Sequence, residues 1–103
     1  KFGRIVNITS GSVKSPIPEL GLSNGARSGL TGFVAGIARE YAQYNVTINN
    51  LLPGQFNTAR IEALIEKRAK ENGITSQELR AKLEEENPSK RLGEIGEFGV
   101  ACA

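Results

Sequence analysis

Three places in this 103-residue chain put residues capable of chemistry at the ends of regular patterns. Ser10 closes the apolar run "GRIVNITS". Ser23 and Arg27 stand four apart where a helical pattern opens, in "LGLSNGARSGLTGF". Pro53-Gly54, followed by Thr58, closes a second apolar run, "VTINNLLPGQFNT". Hydroxyls can polarise a bound group by hydrogen bonding, and a guanidinium can fork onto hydroxyls or anions but does not trade a proton at physiological pH. A Thr that opens a helix leaves backbone amides facing any anion placed there. Each residue also has a plainer reading: Ser23 as a helix cap, Arg27 as a solvated first-turn side chain, Pro-Gly as turn geometry.

What the chain lacks narrows the chemistry further. It has no His and one Cys, and all of its acidic residues are Glu. A Ser-His-Asp triad, a His-based zinc site, an Asp-rich calcium loop and a thiolate cluster are all excluded, so no metal site is expected. Hydroxyls, backbone groups, Arg, Lys and Glu remain.

The elements that must hold these residues follow from periodicity. Ile5, Val6 and Ile8 form a short apolar run that ends at Ser10-Gly11-Ser12, as a buried strand would. Residues 11–22, with Gly, Ser and two Pro, read as loop. Leu30, Phe33, Val34, Ile37, Ala38 and Tyr41 then follow the helical template, which predicts a helix from about Asn24 to Tyr44 with Asn45 as C-terminal cap. Gly25, Gly29, Gly32 and Gly36 share that helix. Each glycine costs about 1 kcal/mol there, so close approach of another backbone is expected, either the sheet beneath or a partner's helix. "VTINNLL" reads as a second strand, and strand–helix–strand predicts a βαβ unit with parallel strands, whose ligands sit outside the carboxyl ends. Ile61, Leu64 and Ile65 mark a helix ending near Asn72-Gly73, "TSQE" at Thr75–Glu78 is a capping box for another stopped before Pro88, and "GEIGEFGVACA" starts a last one.

Bulk composition is ordinary. With 39% apolar and 23% charged residues and a net charge of +2, neither nucleic acid nor a membrane is implied as a partner. Residues 1–52 carry +5 and −2, and residues 53–103 carry +8 and −9, so the second half is expected to be the solvated one. The lone Cys102, with no apolar run long enough to span a bilayer, points to a cytoplasmic protein. "NIT" at Asn7 and "NVT" at Asn45 fit the glycosylation acceptor pattern but fall in or beside strand-like runs and are taken as chance matches.

"GRIVNITSGS", a helix opening thirteen residues after Ser10, "NNLLPGQFNT" and "NPSKRLGEIGE", in that order, resemble the C-terminal half of the short-chain dehydrogenase/reductase family, in the manner of its 3-oxoacyl-(acyl carrier protein) reductases. The resemblance implies an α/β fold: the C-terminal part of a Rossmann-like, doubly wound parallel sheet, made of the βαβ unit plus lid helices at about 59–87 within a single partial domain, residues 1–103. It implies an NAD- or NADP-dependent oxidoreductase acting on a small-molecule carbonyl or hydroxyl substrate. By position, Ser10 matches the family serine that polarises the carbonyl. Ser23 stands where the family has its proton-donating Tyr and Arg27 where it has its Lys, so the implied catalytic set, Ser10, Ser23 and Arg27, lacks the usual acid. The cofactor-binding positions implied are Arg27, Pro53, Gly54, Phe56 and Thr58, with Ile61, Leu64 and Ile65 in the lid. Catalysis would then be altered or impaired; the alternative is a catalytically silent relative that binds nucleotide or partners. Because the family's glycine-rich dinucleotide loop and last strand do not appear, the chain reads as a fragment with a bare sheet edge. Association into a homo-oligomer through the Gly-rich helix at 24–44 is expected.

Overall fold

β-Branched residues build the two strands, and the computed structural model describes all of residues 1–103. β1 is Gly3–Ile8 and β2 is Val46–Leu51. They pair in parallel, from Gly3 opposite Val46 to Ile8 opposite Leu51, as expected for strands joined by a helix. The Asn7 amide donates to Asn50 Oδ1 across the pair at 3.2 Å. Parallel pairing brings both carboxyl ends to one rim. There the ladder continues past the strands, with Thr9 N–H donating to the Leu51 carbonyl at 2.9 Å and Gly11 N–H to the Pro53 carbonyl at 3.3 Å.

The crossover helix, α1, is Gly21–Ala42. It starts three residues before and ends two residues before the expected 24–44. The segment 11–22 is not loop throughout: 3₁₀ turns occupy Gly11–Val13 and Pro18–Leu20, and the second feeds directly into α1. Asn24 Nδ2 donates to the Ile17 carbonyl at 2.7 Å and ties the first turn back to this lead-in. At the far end Gln43 occupies the cap and Asn45 takes the left-handed conformation, φ 57°, two residues later. The role assigned to Asn45 is therefore that of the turn residue between helix and strand, and Arg4 holds its carbonyl at 2.8 Å.

α1 packs against β2 and the first 3₁₀ turn. Val34 is its one buried side chain, and Ser23, Asn24, Arg27, Thr31, Ile37 and Ala38 are half-buried along the same helix. Half of the expected apolar stripe thus faces elsewhere: Leu30, Phe33 and Tyr41 are exposed. Periodicity reports that a helix has a stripe, but residues one position apart lie only 100° apart on it, so two neighbouring faces share nearly the same pattern. The glycines differ from expectation as well. A Cβ built on Gly25, Gly29, Gly32 or Gly36 would meet nothing within 4 Å, so no backbone of this chain approaches them.

The chain divides into two compact units, Lys1–Gly54 and Gln55–Ala101. The second is helical. α2, Ala59–Asn72, opens on Thr58, whose Oγ accepts from Ile61 N–H at 3.3 Å, and closes on Gly73 at φ 64°. α3, Ser76–Glu86, opens on the Thr75–Glu78 capping box, and α4, Ile95–Cys102, opens on Glu94, whose N–H donates to the Glu97 carboxylate at 2.7 Å. α2 and α3 pack together, and Ile65, Ala69 and Leu92 are buried. Of the α2 side chains singled out earlier, Ile65 is core, Ile61 half-buried and Leu64 exposed. No helix is long and apolar enough to cross a membrane.

Candidate functional site

The rim where both parallel strands end gathers most of the sequence-predicted residues. Ser10 follows β1 in extended backbone and caps the 3₁₀ turn, its Oγ accepting from Ser12 N–H at 3.2 Å. That bond occupies a lone pair and leaves the hydroxyl hydrogen free to be given away, the polarity needed to polarise an acceptor such as a carbonyl oxygen. The neighbouring Thr9 and Ser12 hydroxyls are enclosed and lack hydrogen-bond partners.

Ser23 and Arg27 lie one turn apart on the shielded face of α1. Ser23 is the third residue of the helix; the cap is Leu20, which makes no side-chain bond. The plain alternative of Ser23 as a helix cap is therefore overturned. Arg27 is not a solvated first-turn residue either: its Nη1 donates to the Ile8 carbonyl at 3.1 Å. This bond ties the helix to the end of β1, two residues before Ser10. No carboxylate pairs with Arg27, so its positive charge stands uncompensated at the rim. Pro53 meets the same rim through the bond from Gly11, while a Cβ at Gly54 would find open space, so a ligand can approach that backbone closely.

Phe56 and Thr58 belong to the helical unit. The Phe56 ring packs edge-on against Phe98, centroids 5.3 Å apart. Its backbone forms an isolated parallel bridge with Gly93, in which Gly93 N–H donates to the Gln55 carbonyl at 3.0 Å and Asn57 N–H to the Gly93 carbonyl at 2.7 Å. A Cβ on Gly93 would fall 2.6 Å from the Phe56 ring, so only glycine fits. Thr58 spends an oxygen lone pair on capping and keeps its O–H to donate, beside the unpaired first amides of α2. Sequence reasoning missed Asn57, Arg80 and Glu94. Asn57 Oδ1 accepts from Arg80 Nη2 at 3.0 Å and its Nδ2 donates to Glu94 Oε1 at 3.3 Å. Only the position of Asn57, just before an N-cap Thr, hinted at a role.

One acid in this unit is strongly perturbed. Nη1 and Nη2 of Arg91 donate to Glu97, at 2.8 and 2.6 Å, and the Glu94 amide adds a third bond. The Arg91 bonds first, and that amide second, hold the Glu97 carboxyl down at about 2. Glu78 is also held below the ordinary carboxylate range, chiefly by the Thr75 amide. Both shifts belong to helix starts and not to the rim.

The family model described as short chain dehydrogenase matches residues 1–69. The chain is 32% identical over 105 aligned positions to 3-oxoacyl-(acyl-carrier-protein) reductase FabG of Haemophilus influenzae, covering 100% of this chain and 38% of that protein. It is 29% identical over 103 positions to NADPH-dependent reductase BacG of Bacillus subtilis, covering 100% of this chain and 40% of that protein. A crystal structure of a short chain dehydrogenase family protein from Francisella tularensis superposes with a TM-score of 0.84 at 23% identity, over 96% of this chain and 41% of that one. The chain thus spans about two fifths of the length of the curated relatives that it matches end to end. The family model covers more than half of the chain, and the chain belongs to the short-chain dehydrogenase/reductase family.

Proposed function

We propose that the protein carrying this chain is an NAD- or NADP-dependent oxidoreductase acting on a small-molecule carbonyl or hydroxyl substrate, with proton delivery altered by the loss of the phenol. The observation that supports it most is the rim itself: Ser10 with a hydroxyl hydrogen to give, Arg27 anchored beside it, and Ser23 one turn away. Ser10 orients and polarises the carbonyl oxygen. Arg27 has donors beyond the one given to Ile8, and these suit the hydroxyls of a ribose. By the family resemblance, Pro53 and Gly54, whose backbone side is open, would take close approach of the dinucleotide. In the helical unit, the Phe56 backbone, the Thr58 hydroxyl and the first amides of α2 offer donors for its carboxamide and phosphate portions. When bound, the nicotinamide supplies or accepts the hydride. Ser23 is a far weaker acid than a phenol and its side chain is shorter, so the proton reaches the alkoxide less readily; general acid catalysis contributes about 10²- to 10⁴-fold.

The same proposal treats residues 1–103 as one partial domain, with the helices within 59–87 as substrate lid, in a cytoplasm where Cys102 stays reduced. It also has a second copy packing on α1, whose glycine face has open space around it. A second reading, a silent relative that binds nucleotide or partners, is favoured by the anchoring of Arg27 to a backbone carbonyl, where it acts as a strut. Restoring the acid separates the two. The double variant Ser23→Tyr with Arg27→Lys is expected to raise the carbonyl reduction rate about 10²- to 10⁴-fold. Retained nucleotide binding with no gain in turnover would decide for the silent reading.

A further inference from the structure

We propose that Asn57 is a positioning residue that sets the Phe56–Thr58 segment against α3 and the start of α4, and through that segment the grip on the nucleotide. The second clause rests on the cofactor reading above.

Asn57 lies directly between the two helical-unit residues assigned to the cofactor, and it is held at three points by two parts of the unit, α3 and the Gly93–Glu94 segment. Its backbone N–H goes to the Gly93 carbonyl at 2.7 Å, its Oδ1 takes a bond from Arg80 Nη2 of α3 at 3.0 Å, and its Nδ2 reaches Glu94 Oε1 at 3.3 Å. Arg80 is itself oriented by Glu84, Nε to Oε1 at 3.1 Å, so its fork arrives preset. The side chain that fills this place must accept from a cation at one end and donate to a carboxylate at the other. A primary amide does both; a carboxylate does only the first and repels Glu94; an aliphatic group does neither. On either side, Phe56 is clamped by Phe98 and by the close approach of Gly93, and the Thr58 Oγ accepts from Ile61 N–H at the start of α2 while its O–H stays free to donate. The segment therefore has little freedom of its own, and its orientation follows α3 through Arg80 and α4 through Glu94. The bond from Arg80 is partly shielded and made by a charged group, the stronger class, so its loss is felt where the segment does its work.

The test uses NADPH and NADH titrated by fluorescence into the protein and its variants, beside thermal melts and amide hydrogen exchange of residues 56–58. Asn57→Ala is expected to weaken nucleotide binding tenfold or more and to speed exchange at Phe56–Thr58. Asn57→Asp is expected to weaken it as well, by keeping Arg80 and repelling Glu94. Adding Glu94→Gln to Asn57→Asp returns a donor to face the new carboxylate, and it is expected to restore affinity to within about threefold of the parent. Unchanged affinity in folded Asn57→Ala, or a lowered melting temperature with no change in affinity, overturns the proposal. So does failure of Glu94→Gln to rescue Asn57→Asp. If the parent binds neither nucleotide, the cofactor reading fails, and exchange decides for Asn57 alone: faster exchange at 56–58 supports the positioning role, and unaltered exchange overturns it.

Discussion

The two units satisfy their chemistry in opposite ways. Lys1–Gly54 leaves Phe2, Ile5, Val6, Ile8, Leu22 and Phe33 exposed, with Leu22 at 95% and Phe33 at 65%, and contains no ion pair. Gln55–Ala101 holds the four ion pairs, Lys67–Glu71, Arg80–Glu84, Lys90–Glu85 and Arg91–Glu97, together with bonds between side chain and backbone at three helix starts. One unit is a parallel pair and a helix whose apolar faces want cover; the other closes its polar bonds among its own residues. Parallel strands are normally buried on both faces, whereas capped, amphipathic helices tolerate water on one side. The rim residues Ser10, Ser23 and Arg27 thus sit on the unit with the larger set of exposed apolar side chains, whereas the helical unit leaves Leu64, Ile95 and Val100 exposed.

Three perturbations sharpen or break this contrast. The largest effect is expected from Leu22→Glu with Phe33→Glu: each large apolar side chain withdrawn from a covered face forfeits about 1.5–3 kcal/mol, so self-association should fall a hundredfold or more in sedimentation experiments. Unchanged association would mean that the exposed face of α1 has no partner copy. Next is Gly93→Ala, whose methyl meets the Phe56 ring; overpacking of this kind costs about 1–3 kcal/mol, and thermal melting with exchange at 55–58 should show the helical unit weakened while β1 and β2 keep their protection. Loss of strand protection would show that the two units melt as one. The smallest is an acid titration. Because Glu97 is held at about 2 in the folded chain against about 4.3 unfolded, its bonds stabilise fully above that unfolded value and are lost as pH falls toward 2. Carboxyl NMR should place the Glu97 midpoint well below the ordinary glutamate value of about 4.3, and Arg91→Gln should raise it toward that value.

Local signals were legible wherever a local cause made the structure. "TSQE" became the Thr75–Glu78 box, Asn72-Gly73 ended α2 on a left-handed glycine, and the β-branched runs became parallel strands. Thr58 capped α2 as its residue type suggested. The face of α1 was not legible in the same way, because the half-buried positions near its start are Ser23, Asn24, Arg27 and Thr31, polar residues that no apolar pattern selects. They are sheltered by the rim and not by the core. Asn57 was harder still: its side-chain partners lie 23 and 37 residues away, and nothing local distinguishes it from a turn asparagine.

From the chain alone follow the residue types available for chemistry, the absence of imidazole and aspartate, the strand–helix–strand order and the spacing of Ser10, Ser23 and Arg27. These depend on composition and on interactions within a few residues. The tertiary structure decided which way Arg27 turns and that two distant segments, at Arg80 and at Gly93–Glu94, meet on Asn57. Such facts depend on parallel pairing and helix docking, which bring together groups tens of residues apart and so have no signature in any short window of sequence.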